Sequence, residues 1–532
     1  MTKKILLILV GIGFLLLPVI AFSEELAQEQ ILKVGSCDDD IMGLDPYYFV
    51  GTSGEPMLRA IYEGLVRFNF GNIALDKTEP AISESWEVSP DGLLWTFHLR
   101  KGVQFHQGYG ECTAEDVKFS IERLDGGSPQ HADYQTIEDI TCVDPYTVEF
   151  KMNGVDPFFL YKVGNYHGGY VVSKKAVEEK GEGFRSSPVG TGPFEFSEWI
   201  AKEKVVLVRN DNYWRGKPIL EGIEFLFMPD PNTRTLGLES GQIDTTTEGV
   251  DEEQWVSSER AKGIIVDTLG FDMPMILYFN MTVKPLDDIR VRMALAYATS
   301  RQDFIDYNGP SLNRAMISPL PPGMYGSISE GLPLYEYDLA KAKLLLAKAG
   351  YPNGFDLGRV YSSVRPLYLD PLEILQAQWA KVGVTFEIEP VAHEAYHALV
   401  RQDLNAIVCY PGPRATPDMV FTQYLHSNAV VGKETAITNF SHYGDVDCDG
   451  DGTIDGVDEY IEKARVEMNP ERQKALYAIA QLQVLLDLPI YPIHSMAVTQ
   501  ARNSWVDLGH EPYEQSWING YAYTEKTRIL KH

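Results

Sequence analysis

The sequence predicts an α/β protein built on more than one hydrophobic core. The chain has 532 residues, well past the length at which a single core stops growing. Strand-like and helix-like segments alternate along it, the pattern of α/β units joined by crossovers. Apolar residues make up 44% and charged residues 23%, ordinary for a globular protein.

The N-terminus reads as an export signal. Lys3 and Lys4 precede an apolar run from Ile5 to Ile20, and Ala21-Phe22-Ser23 supplies small residues two apart, as cleavage after residue 23 requires. The run is shorter than the roughly 20 residues of a membrane span; an uncleaved anchor is the alternative. The first cysteine is Cys37, so a lipoprotein is not expected. The mature protein is expected to be soluble, on the periplasmic or extracellular side of the membrane.

Trp95, Phe97 and Leu99 alternate with Thr96, His98 and Arg100, the period of a half-buried strand. Asp91-Gly92 just before them signals a hairpin turn. Residues 114–123 read as a helix with Thr113 as its cap. Asp338 opens another, with Leu339, Ala342, Leu345, Leu346 and Ala349 as its apolar stripe and Gly350 as its stop. Asn469-Pro470 opens a third, with Leu476, Ile479, Leu482 and Leu486 on the face expected to be buried.

The formal net charge is −29. Removing residues 1–23 takes away two lysines and no acid, giving −31. Phosphate binding needs a basic surface, so nucleic acid is disfavoured as a partner. The acidity reads as a solvated surface. Twenty-nine tyrosines suit carbohydrate, peptide and interface contacts, although sheet packing accounts for most of them. Of the five cysteines, Cys37, Cys112, Cys142, Cys409 and Cys448, an odd number leaves one unpaired. None has zinc or iron–sulfur spacing. Export permits disulfides, and Cys112–Cys142 is the expected pair.

His393-Glu394-Ala-Tyr-His397 fits H-E-x-x-H, which places two His on one helix face with Glu394 as a general base. The rival reading is thus a secreted zinc metalloprotease. No third His follows at the metzincin spacing, and a five-residue pattern with two free positions arises by chance. Pro188-Val-Gly-Thr-Gly-Pro-Phe194 has G-x-G without the third Gly of a dinucleotide loop and reads as a turn. No G-x-S-x-G elbow is present.

The segment 447–458 follows the calcium-loop template D-x-D-x-D-G. Asp447, Asp449 and Asp451 take positions 1, 3 and 5, and Gly452 makes the turn. Thr453 offers its carbonyl, Asp455 acts directly or through water, and Asp458 closes position 12, where a longer Glu is usual. A structural Ca²⁺ is expected here; the alternative is a solvated acidic turn. No organic cofactor is expected.

Several blocks together resemble family 5 of the extracellular solute-binding proteins, the peptide, nickel and oligosaccharide receptors of ABC importers. They are Ala60-Ile-Tyr-Glu-Gly-Leu-Val-Arg-Phe68, Glu84-Ser-Trp-Glu-Val-Ser-Pro-Asp-Gly92, Trp95-Thr-Phe-His-Leu-Arg-Lys-Gly-Val103 and Thr113-Ala-Glu-Asp-Val-Lys-Phe-Ser-Ile121. Pro188–Phe194, Arg209-Asn-Asp-Asn-Tyr-Trp214, Phe279-Asn280, Asp288-Ile-Arg-Val-Arg-Met-Ala294 and Ala349-Gly-Tyr-Pro-Asn-Gly354 follow in order. The resemblance implies a type II, cluster C-like periplasmic-binding-protein fold. Residues 24–55, 190–275 and 495–532 would form lobe one, 56–189 an extra subdomain on it, and 276–494 lobe two. The loop at 445–458 looks like an insertion. The resemblance also implies a monomer without catalysis that closes on a ligand between the lobes and docks on a membrane permease.

Peptide-binding members typically carry G-W-x-A-D-Y-x-D-P, whose Asp holds the peptide ammonium. The corresponding stretch here is Cys409-Tyr-Pro-Gly-Pro-Arg-Ala-Thr-Pro417, then Asp418. The key Asp becomes Pro413 and the next Tyr becomes Arg414. Pro supplies neither charge nor N–H, whereas Arg is a planar cation suited to carboxylate or phosphate. Candidate ligand contacts on this reading are Tyr48, Tyr361, Arg365, Tyr410, Arg414 and Asp418. Peptide uptake is the leading expectation, with an oligosaccharide, an anionic solute or a metal chelate as the alternative. Pairing of Arg414 with Asp418 would remove it from ligand choice.

Overall fold

The computed structural model describes residues 25–48, 54–68, 78–124, 128, 134–164, 168–249, 252–412, 414, 416–433, 438–512 and 521–531, without the side chains of Asp272 and Glu394. The export signal and Pro413 lie outside the described residues. Among these, no helix is long and apolar enough to cross a membrane.

The chain enters lobe one along β1 (Ile31–Ser36) and leaves at once for a separate four-stranded antiparallel sheet. That sheet contains β2 (Ser83–Val88), β3 (Leu94–Leu99), β4 (Ile137–Asp144) and β5 (Thr147–Met152) in the order β2-β3-β5-β4. Trp95, Phe97 and Leu99 are its buried side, as their alternation predicts. Phe97, Phe150 and Phe159 pack edge to face at 5.2–6.2 Å. Helix α1 (Ala114–Glu122) lies against this sheet. Thr113 caps it by donating its own N–H and hydroxyl to Asp116 at 3.0 Å.

The chain returns to lobe one through β6 (Phe194–Ile200), β7 (Lys204–Arg209), β8 (Gly222–Phe227) and β9 (Thr245–Thr246). Three of the family-like blocks meet at this junction. The buried Glu63 carboxylate accepts from the Thr191 hydroxyl at 3.2 Å, the Tyr213 hydroxyl at 2.9 Å and the Trp214 indole at 2.8 Å. Nearby, His106 is buried with Nε2 2.9 Å from Gly192 O and Nδ1 3.4 Å from Gly190 N. Burial drives its pKa down to about 4. A neutral ring with one donor and one acceptor satisfies both contacts.

The crossing to lobe two is one long strand, β10 (Ile265–Phe279). Lobe two then adds α2 (Ile289–Tyr297), α3 (Arg301–Asn308), β11 (Asn313–Ala315), α4 (Leu339–Lys348), β12 (Phe355–Ser363), α5 (Pro366–Trp379), β13 (Val384–Val391), α6 (His393–Arg401), β14 (Ile407–Pro411), α7 (Pro417–Tyr424), α8 (Asp458–Arg465) and α9 (Pro470–Asp487). The chain returns along β15 (Ile490–Arg502), antiparallel to β10 over both lobes. One sheet therefore runs through the molecule in the order β6-β7-β8-β1-β9-β15-β10-β14, with β11 on β15. Between Leu269 and Met273 the β10–β15 register slips, and Gly270 takes φ +65°. This bulge at the lobe boundary is where the backbone bends.

Arg292 on α2 is fully buried and ties lobe two together. It donates to the carbonyls of Leu286 (2.8 Å), Asp287 (3.2 Å), Cys448 (2.7 Å) and Asp487 (2.8 Å). The Asp338 cap forms as predicted, its side chain accepting from Lys341 N at 2.9 Å. Asn469 caps α9, but the buried face differs from the expected one. Ile479, Leu482 and Leu486 are 45%, 38% and 51% exposed, while Gln473, Tyr477, Ala480, Gln481 and Val484 face the core. The inner face uses Tyr, Ala and hydrogen-bonded Gln side chains, which do not register as an apolar stripe.

All five cysteines are free thiols, which corrects the expected Cys112–Cys142 pair. Cys112 is buried among Asp116, Glu63 and Glu111, whereas Cys142 lies beside Glu115, Lys118 and Glu122. The two thiols thus sit at different sides of α1.

Candidate functional site between the lobes

Strand direction locates the site. β1 and β9 run parallel and head toward the hinge. Thr245 pairs with Arg502, and the Gly249 N–H reaches Thr499 O at 2.7 Å, closer to the bulge. β14 approaches from the other lobe, with its last residue, Pro411, opposite Met275. The carboxyl ends of strands from both lobes thus face one another, where open α/β sheets take ligands.

The lobe-one side is acidic. Cys37-Asp38-Asp39-Asp40 follows β1, and Glu248 follows β9. Asp40 Oδ1 accepts the Trp199 indole N–H at 2.8 Å, Asp38 Oδ2 accepts the Ser36 hydroxyl at 3.2 Å, and Asp39 is exposed. Burial, with Glu248 and Asp38 beside it, pushes the Cys37 thiol up to about 12, so it is no nucleophile at neutral pH. Tyr48 is exposed, with the Arg185 guanidinium 5.9 Å from its ring.

The lobe-two side is aromatic and basic. Tyr368, on the first turn of α5, has its ring 5.2 Å from those of His393 and Tyr396 and 6.0 Å from those of His397 and Tyr410. The one-turn spacing of His393 and His397 on α6 brings their Nε2 atoms to 3.2 Å. Ser363, ending β12, lies 3.1 Å from His393 Nδ1. Arg365 follows at the N-cap of α5 and is exposed. Arg414 bonds Gln423 through Nε and lies 4.8 Å over the Tyr424 ring.

Asp418 pairs with Arg465 at 3.0 Å, not with Arg414. It faces Asp156 and Lys162 of the extra subdomain, and burial raises its pKa. Phe158 of that subdomain packs into the lobe-two core. Arg365, Tyr410 and Arg414 therefore gather at the cleft end of lobe two. Asp418 serves the contact between lobe two and the subdomain. Tyr361 sits farther back, with Arg359 6.0 Å from its ring. Sequence reasoning did not single out Tyr368, Ser363 or the acidic run 38–40. For His393 and His397 the visible signal was the H-E-x-x-H spacing, read there under a different chemistry.

In the acidic loop, one carboxylate oxygen each from Asp447, Asp449 and Asp455 lies within 4.8 Å of the others. Asp447 accepts the N–H groups of Gly450 (2.7 Å) and Gly452 (2.8 Å), which hold its carboxyl below the usual range. Asp451 turns back to the N–H and hydroxyl of Thr453. Asp458 starts α8 and accepts from Ser427 N and Oγ. Three of the predicted acids thus converge, while Asp451 bonds Thr453 within the loop and Asp458 bonds Ser427 outside it.

Heme-binding protein A of Haemophilus influenzae is 30% identical over 488 residues, covering 86% of this chain and 85% of its own length. Di/tripeptide-binding protein 1 of Pseudomonas aeruginosa is 28% identical over 504 residues, covering 88% and 90%. A solved structure, MoaA of A. tumefaciens R10 in complex with mannopinic acid, matches with TM-score 0.72 and 33% identity, covering 94% of this chain and 100% of that one. The model for bacterial extracellular solute-binding proteins, family 5 Middle, matches residues 77–432, and this two-lobed chain belongs to that family.

Proposed function

We propose that this protein captures a short peptide or peptide-like acid between its lobes and hands it, unchanged, to the membrane permease of an ABC importer. It would do so as an exported, soluble monomer. The observation that carries the reading is the opposite charge of the two cleft sides: carboxylates at 38–40 and 248, guanidinium groups at Arg365 and Arg414. A zwitterionic ligand spans such a cleft with its ammonium toward lobe one and its carboxylate toward lobe two. Aromatic faces from Tyr368 and Tyr410 suit the side chain between. Relatives named for di- and tripeptides and for mannopinic acid support this ligand class. Ligand bridging both lobes favours the closed population.

Calorimetry with a free peptide, its N-acetyl form and its C-terminal amide tests the reading. Each modification should weaken binding, and Arg414→Ala should cost about 1.5–3 kcal/mol, the scale of hydrogen bonds to a charged group. Equal affinity for all three forms refutes it, as does conversion of bound peptide into products. A second reading rests on the His393–His397 pair. Two Nε2 atoms 3.2 Å apart match adjacent ligands of one metal at about 2.0–2.1 Å, so a metal chelate is the alternative cargo. Retention of a chelated metal that His397→Ala abolishes would favour it. The loop 447–458 is proposed separately as a structural Ca²⁺ site held by Asp447, Asp449 and Asp455, an all-oxygen set suited to a hard cation.

A further inference from the structure

A cavity of about 340 Å³ lies beside the hinge bulge, where β10 and β15 pass between the lobes. One wall is the β10–β15 ladder, in which Met273 is opposite Met496 and Met275 is opposite His494. Residues two apart on a strand share a face. Three thioethers and one imidazole therefore form a two-by-two block on one surface, and all four line the cavity. Asn313 and the first turns of α5 complete it. Helix α5 separates this cavity from the cleft cluster: Leu367 and Asp370 face the cavity, while Tyr368 packs on His393.

The His494 tautomer is fixed by its neighbours. Asn313 Nδ2 donates to Gly309 O at 3.0 Å, which orients the amide so that Oδ1 meets His494 Nδ1 at 2.9 Å. An amide oxygen only accepts, so Nδ1 carries the proton and Nε2 keeps its lone pair. His494 is 1% exposed, and among the described residues Nε2 has no hydrogen-bond partner. A buried polar atom left without a partner calls for an explanation.

We propose that Met273, Met275, Met496 and His494 form a binding site for a soft monovalent metal ion, Cu(I) in class. Thioether sulfur and neutral imidazole are donors that select such an ion over Ca²⁺, Mg²⁺ or Mn²⁺, which take oxygen. Asn313 holds the ring as outer partners of metal-bound imidazoles do. Asp370, on the cavity rim and bonded to Tyr307 at 3.0 Å, supplies a negative charge against the cation.

The test uses full-length mature protein carrying Cys37→Ser and Cys142→Ser, which removes the two thiols that are not fully buried. With methyl-¹³C methionine and ring-¹⁵N histidine labels, Cu(I) is added under ascorbate without oxygen. Three methionine methyl signals and one imidazole nitrogen signal should move together and saturate at one equivalent. Met273→Leu, Met275→Leu and Met496→Leu, near-isosteric changes, should each remove one of the three. His494→Gln should weaken Cu(I) affinity in bicinchoninate competition at least about tenfold. The proposal is overturned if no methyl moves, or if the moving signals survive the Leu changes. Should a variant fail to fold, the parent protein decides: a Cu(I) titration that leaves the His494 nitrogen unmoved refutes the site.

Discussion

Arg292→Met removes the cation at the centre of lobe two while nearly keeping its volume. Four carbonyls, of Leu286, Asp287, Cys448 and Asp487, lose their donor. A buried acceptor left unsatisfied costs about 1–3 kcal/mol. Even at the low end, the three buried ones, of Leu286, Cys448 and Asp487, come to about 3 kcal/mol, a large single-residue effect. Removing a desolvated cation returns part of this, because no carboxylate is left unpaired by its loss. The expected net loss is therefore about 2–3 kcal/mol. Urea denaturation followed by the fluorescence of Trp379, buried in the lobe-two core, reads it out. Arg292→Lys, with one donor group in place of a planar fork, should fall between the two. A loss below about 1 kcal/mol for Arg292→Met would refute the reasoning, since the carbonyls would then have found water or one another.

The pH profile of stability should carry the mark of His106. Its folded pKa, about 4, lies below the ordinary 6.5. Between those values the unfolded chain binds a proton that the folded protein refuses, so stability falls as pH drops through this window. The slope is about 1.4 kcal/mol per pH unit, or roughly 2 kcal/mol lost by pH 5. His106→Gln should flatten the decline in melting temperature from pH 7 to 5; identical profiles would count against it. For the acidic loop, excess chelator should lower the melting temperature of calcium-loaded protein, and Asp447→Ala should abolish that response. Loaded protein that ignores the chelator has no structural calcium there.

Much of the architecture was legible in the sequence because local chemistry and global fold agree. Thr113, Asp338 and Asn469 cap the helices they announce, and the Trp95–Leu99 alternation matches its burial. The family-like blocks were legible for a different reason. Glu63, Thr191, Tyr213 and Trp214 belong to three of them and meet in one buried hydrogen-bond cluster, so this part of the recognisable text describes a structural joint. The proposed ligand residues are less legible. They lie at strand ends, where only the register of β10, β14 and β15 tells which loops face each other. The same holds for Met273, Met275, His494 and Met496, which look like ordinary strand residues until the pairing sets them side by side. The face of α9 was misjudged because Gln473 and Gln481 are buried through bonds to distant carbonyls, of Ala464 and Gly326.

The strand shared by the two lobes also bears on the order of assembly. β15 lies between β9 of lobe one and β10, which spans both lobes, yet it follows both of them by more than 200 positions in the chain. Gln30, just before β1, bonds the carbonyl of Ile529 across 499 positions. Neither lobe can close its sheet until β15 has been made. Until then β9 and β10 present unpaired edges, a template for joining another chain. Protection of those edges, or a delay in folding until β15 arrives, is thus a demand that the topology itself imposes.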